Sequence, residues 1–171
     1  AVAGGIASGR VPAGGKAGDP VDSWINPTSI LGGVLAICVV AYLAAVYLVW
    51  DAQRLGDEPM VEYFRGRAIA AGVAAGVVAA VGIIVLAADA DYLFDGLTSR
   101  ALPLVILSGV CGVATLWLLR RHQHRGARLT AIAAVASVVV AWGVAQWDYM
   151  LPESLTVEAA AAPSGTIGAV L

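Results

Sequence analysis

Four stretches of the chain, Ile30 to Trp50, Ala68 to Ala88, Ala101 to Leu119 and Leu129 to Trp147, contain no Asp, Glu, Lys, Arg or His. Polar and charged residues collect between them. At a rise of about 1.5 Å per residue, runs of this length reach across a hydrocarbon core of about 30 Å. Lipid offers no partner to a free backbone N–H or C=O, so each run is predicted to be helical. Pro103 falls in the first turn of the third run, where a missing N–H removes no helical bond. Short connections make consecutive helices neighbours of opposite direction. The expected fold is therefore an all-α membrane protein, with four transmembrane helices in an up-down antiparallel bundle over residues 29–148. Residues 1–28 and 149–171 are expected to be loop segments on one side of the membrane.

Charge sets the direction. Arg54, Arg65 and Arg67 follow the first run and Arg120, Arg121, Arg125 and Arg128 follow the third, so seven of the ten basic residues share one side. Positive residues near span ends are retained in the cytoplasm. The other side holds Arg10, Lys16 and Arg100 among Asp19, Asp22, Asp89, Asp91, Asp95, Asp148, Glu153 and Glu158. Both termini are thus expected on the periplasmic side of a bacterial plasma membrane. Trp24, Tyr92, Trp147 and Tyr149 fit the outer interface, and Trp50, Tyr63 and Trp117 the inner one.

Composition agrees: 60% of 171 residues are hydrophobic and 13% charged, an excess of apolar surface that must face lipid. A net charge of −2 gives no basic surface for nucleic acid. Cys38 and Cys111 lie inside apolar runs without a CxxC partner, and read as small buried hydrophobes. No Met begins the chain and residues 1–28 lack a basic segment followed by an apolar core, so it reads as a piece of something longer.

Gly72 and Gly76 stand one turn apart in the second run, and Ser108 and Gly112 in the third. Such small-xxx-small pairs let helix backbones approach. Ionisable groups are tolerated within spans where function needs them, so their absence weighs against a pump or ion-coupled transporter. Haem in a membrane bundle usually takes an axial His from a span, sometimes with Met. Here His122 and His124 lie in a basic loop and Met60 and Met150 in or beside loops, so no haem iron and no metal is expected in this chain.

The first run is entered through Trp24-Ile25-Asn26-Pro27-Thr28-Ser29, where Ser29 or Thr28 is a candidate helix cap. The fourth ends in Trp142-Gly143-Val144-Ala145-Gln146-Trp147-Asp148-Tyr149-Met150-Leu151-Pro152, followed by Leu155-Thr156-Val157-Glu158 and Ala160-Ala161-Ala162-Pro163. Together with Ala41-Tyr42-Leu43 and Phe64-Arg65-Gly66-Arg67-Ala68 between them, these segments resemble, in order and separation, the second half of subunit II of the cytochrome bd-type quinol oxidases. The resemblance spans roughly residues 20–165. One position departs from it: the family often has Pro two residues after the Gln, where this chain has Asp148.

The resemblance implies the C-terminal half of a non-haem subunit, lacking the last helix, to which residues 149–171 would lead. Its partner would be a haem-bearing subunit I holding haem b and haem d. That complex oxidises quinol and reduces oxygen to water in the respiratory chain. No catalytic residue is carried over. On a helix, Trp142, Gln146 and Tyr149 share one face, which reads either as a quinone or lipid contact or as an interfacial aromatic anchor. The alternative identity is a small four-span structural or transport-associated protein without a redox role.

Overall fold

The computed structural model describes residues 2–13 and 18–161. Four helices in it are long and apolar enough to cross a membrane: α2 (Pro27–Leu55), α3 (Glu58–Asp89), α5 (Leu102–Arg120) and α6 (His124–Gln146). Shorter elements surround them: α1 (Val2–Ala7), α4 (Asp91–Thr98), a hairpin of β1 (Tyr149–Leu151) and β2 (Leu155–Thr156), and α7 (Val157–Ala160). With 29 and 32 residues, α2 and α3 extend to about 43 and 48 Å, so their ends outreach the hydrocarbon. Asp51, Arg54, Glu58, Glu62 and Arg65 sit on those overhangs.

Local chemistry sets the boundaries. Asn26 is extended, and its side-chain oxygen accepts the Ser29 N–H at 2.9 Å while Pro27 fills the first helical position. Asn26, rather than Ser29 or Thr28, is therefore the cap of α2. At the far end Gly56 takes φ 72°, a left-handed conformation that closes a helix at no steric cost to glycine. Asp57 then caps α3 through the Met60 N–H at 3.1 Å.

The spanning helices meet in two close pairs, α2 with α3 and α5 with α6, joined mainly through α2 and α6. Along the first pair, Thr28 meets Asp89, Leu31 lies over Gly82 and Tyr42 over Gly72. Along the second, the Ser108 hydroxyl donates to the Ala134 carbonyl at 2.9 Å, Thr115 bonds Thr130 at 2.8 Å and Leu118 lies over Gly126. The buried face of α6 is a stripe of small residues, Ala127, Ala131, Ala134, Ser137, Ala141 and Ala145. Spacings of three and four keep them on one side of the helix, where backbones can approach for dispersion contact.

That stripe corrects the expectation placed on Gly72 and Gly76. A Cβ on Gly72 would come within 3.0 Å of the Leu116 and Tyr42 side chains, and one on Gly76 would meet nothing. Gly72 makes room for a ring rather than for a backbone. Ser108 bonds α6, but Gly112 faces open space. The segments expected to be plain loops also carry structure. In α1, Gly4 and Gly5 are buried against the start of α2, and α4 fills the connection between α3 and α5. Of residues 149–171, implied to lead to a last helix, the first part forms β1, β2 and α7, and residues 162–171 fall outside the described residues.

Candidate functional site

The polar groups that reach furthest across the fold gather where α2 begins and α3 and α6 end. Asp89, the last residue of α3, accepts the Thr28 N–H at 3.0 Å and the Thr28 hydroxyl at 2.6 Å. Its carboxylate also receives both terminal nitrogens of Arg10, at 3.2 and 2.7 Å, a fork-to-fork pair. The carboxylate beside it raises the Arg10 guanidinium above its ordinary range. Arg10 is brought there by α1 and the turn after it: the Asn26 amide donates to Ser8 Oγ at 3.2 Å, and the Ser23 hydroxyl to the Arg10 carbonyl at 3.2 Å. The same turn orders Asp19, whose carboxylate accepts the Val21 and Asp22 N–H groups, both at 2.8 Å, and is held below its usual range by them.

A second cluster closes the end of α6, where carbonyls lack helical partners. Arg100 donates to the Ala145 carbonyl at 2.8 Å and to the Tyr92 hydroxyl at 3.0 Å, while that hydroxyl donates to the Trp147 carbonyl at 2.7 Å. The approach of α4 depends on Gly96, since a Cβ there would overlap the Ala145 carbonyl oxygen and lie 2.8 Å from its Cα.

The residues picked from the sequence occupy this same end. Trp142 donates its indole N–H to Gln146 Oε1 at 3.0 Å, one turn along the helix. Tyr149 lies beyond the helix end, in β1, so the continuous face expected for Trp142, Gln146 and Tyr149 stops at Gln146. Its ring instead meets Tyr92 edge to face, with centroids 5.2 Å apart. Arg100 and Tyr92, which bind the carbonyls, enter the sequence analysis only as an outer-side charge and an interfacial aromatic. Their signal was a basic residue immediately before an apolar span, with a Tyr eight residues earlier and a Gly between.

The other end is built differently. Glu62 pairs with Arg65 and lies 3.5 Å from His122 Nδ1, and His122 and His124 meet edge to face at 5.9 Å. Arginines there stack on rings: Arg67 over Tyr63 at 3.4 Å, Arg121 over Trp117 at 5.4 Å, and Arg128 over Tyr47 at 4.5 Å and Trp50 at 5.9 Å. Among the described residues, no group of three His, Cys, Asp or Glu side chains is arranged to hold a metal.

Four apolar helices, charged groups confined to their ends and small residues at their seams define a multi-pass membrane protein. The profile of the family described as cytochrome bd terminal oxidase subunit II matches residues 1–171. The chain belongs to that family, and so to a multi-subunit respiratory oxidoreductase that includes a partner subunit. No curated protein and no solved structure matches it.

Proposed function

We propose that this chain is a non-haem part of a cytochrome bd-type quinol oxidase, one that supports and stabilises a haem-bearing subunit I. The observation that carries the reading is the family match over the whole sequence. It is supported by where ligand-type residues fall: His122 and His124 lie at the turn between α5 and α6, Met60 in the first turn of α3 and Met150 in the terminal hairpin. Haem b and haem d then belong to the partner, and quinol is the substrate of the complex. What these helices supply is an apolar wall. The outer faces of α3 (Val73, Val77, Val81, Ile84) and α5 (Ile106, Val110, Val113, Trp117) are uncovered by the chain itself. One is available to subunit I and the other to lipid.

In this reading the bundle runs up-down in a bacterial plasma membrane, with the Arg10–Asp89 end periplasmic and the arginine-rich end cytoplasmic. Trp142, Gln146 and Tyr149 serve as an interfacial anchor, because Trp142 already uses its N–H on Gln146 and Tyr149 packs on Tyr92. A photoactivatable quinone that labels these three in the assembled oxidase would replace the anchor by a quinone contact.

The deciding experiment is co-expression of the tagged chain with a haem-bearing subunit encoded beside it. Co-purification of a haem-containing complex is expected, with no Soret band from the chain alone. A Soret band from the isolated chain would overturn the assignment.

A further inference from the structure

The two turns at the arginine-rich end differ sharply in charge. Between residues 51 and 67 four acids, Asp51, Asp57, Glu58 and Glu62, face three arginines, Arg54, Arg65 and Arg67, for a net of −1. Between 120 and 128 there are four arginines, Arg120, Arg121, Arg125 and Arg128, and no acid at all. Across the gap, Glu62 is already engaged with Arg65 and His122. Among the described residues, none of the four arginines of the second turn has a carboxylate partner.

Three further features make this turn receptive to an anion. Arg120, Arg121 and Arg125 are exposed, and Arg121 is held over Trp117 at 5.4 Å, which keeps its guanidinium at the depth of an interfacial Trp. α6 starts here without a side-chain cap and without an acid in its first turn, so its leading N–H groups add positive potential where Asp or Glu usually sits. Directly below, Val113, Trp117, Leu129 and Ile132 expose apolar surface on both helices that flank the turn. A phosphate at the turn with acyl chains along α5 and α6 satisfies both halves of this surface; a free anion satisfies one.

We propose that the α5–α6 turn is a binding site for an anionic phospholipid, its headgroup phosphate taken by Arg120, Arg121 and Arg125. The proposal rests on the reading above in one respect: the α5 face with Val113 and Trp117 is the one left to lipid, and the α3 face the one left to subunit I. The α2–α3 turn at the same end of the bundle, with its own carboxylates, provides the internal contrast.

The test uses the full chain with its co-purified partner subunit in nanodiscs of phosphatidylcholine containing a minority of phosphatidylglycerol. Lipid retained after detergent extraction is quantified by mass spectrometry. The unmodified protein is expected to retain phosphatidylglycerol preferentially. Combined Arg120→Gln, Arg121→Gln and Arg125→Gln should reduce that preference about five-fold per arginine at low salt. The corresponding triple Lys variant keeps the charge that sets topology and should keep most of the preference. Arg54→Gln with Arg67→Gln should leave it unchanged. The proposal fails if the unmodified protein shows no preference, or if the α2–α3 control loses as much as the α5–α6 variant. Millimolar inorganic phosphate abolishing the preference would reassign the turn to a free anion. Protection of these arginines from phenylglyoxal in lipid-stripped complex would reassign it to an acidic protein surface.

Discussion

The two ends of the bundle solve the problem of terminating four helices in opposite ways. At the Asp89 end, bonds join residues far apart in sequence: Arg10 to Asp89 across 79 positions, Thr28 to Asp89 across 61, Arg100 to Ala145 across 45. At the arginine-rich end the contacts are the local pair of Glu62 with Arg65, a longer 3.5 Å approach of Glu62 to His122, and stacks of a cation on a ring. The first end is a set of mutually fixed parts, with the Asp89 carboxylate and the Ala145 and Trp147 carbonyls satisfied by the chain itself. The second keeps cations at the surface, turned to whatever lies outside.

If the contrast is right, substitutions at the two ends should differ in kind. The largest effect is expected from Gly96→Val, which forces a branched side chain into the Ala145 backbone. A loss of about 3 kcal/mol or more, seen as a collapse of the melting temperature in detergent, is expected; an unchanged melting curve would mean that α4 does not pack on α6 as described. Asp89→Ala removes the acceptor of Arg10 and Thr28 together and should cost about 1.5–3 kcal/mol, since its bonds are charge-assisted. Faster proteolysis between residues 1 and 26 should accompany it, because α1 and the following turn lose their tie. Tyr92→Phe deletes one hydroxyl between Arg100 and the Trp147 carbonyl, for about 0.5–1.5 kcal/mol in the same assay. At the opposite end, Glu62→Gln breaks an exposed pair and should leave the melting temperature within error, as exposed ion pairs generally do. A large shift there would erase the distinction between the ends.

The spans were legible because a bilayer imposes one strong demand, a long run without charge, and Ile30, Ala68, Ala101 and Leu129 each open such a run. What the sequence did not disclose was structure outside lipid, where no such demand applies. α1 is short and rests on tertiary contacts of Gly4 and Gly5, which leave no periodic mark, and α4, though Leu93 and Leu97 share its buried face, is only eight residues long. The packing seam was misplaced for a related reason. Gly72 and Gly76 form the more conspicuous motif, but only Gly72 meets a neighbour, whereas the alanines and serine of α6 recur over five successive turns along its buried face. The outer site was half visible: Trp142 and Gln146 stand together, whereas Tyr149 fell away because α6 ends before it.

The placement of Asp89 also bears on the order in which the protein is made. Chains emerge from the ribosome N-terminus first and fold in that order. Every partner of Asp89, from Arg10 to Thr28, has already been synthesised when Asp89 appears, so α1, α2 and α3 can close on one another before α5 exists. Arg100 is in the contrary position: its carbonyl acceptor on Ala145 arrives 45 residues later. The first pair of spans can thus leave the insertion machinery with Asp89 already matched, while the exposed guanidinium of Arg100 waits for α6 to finish.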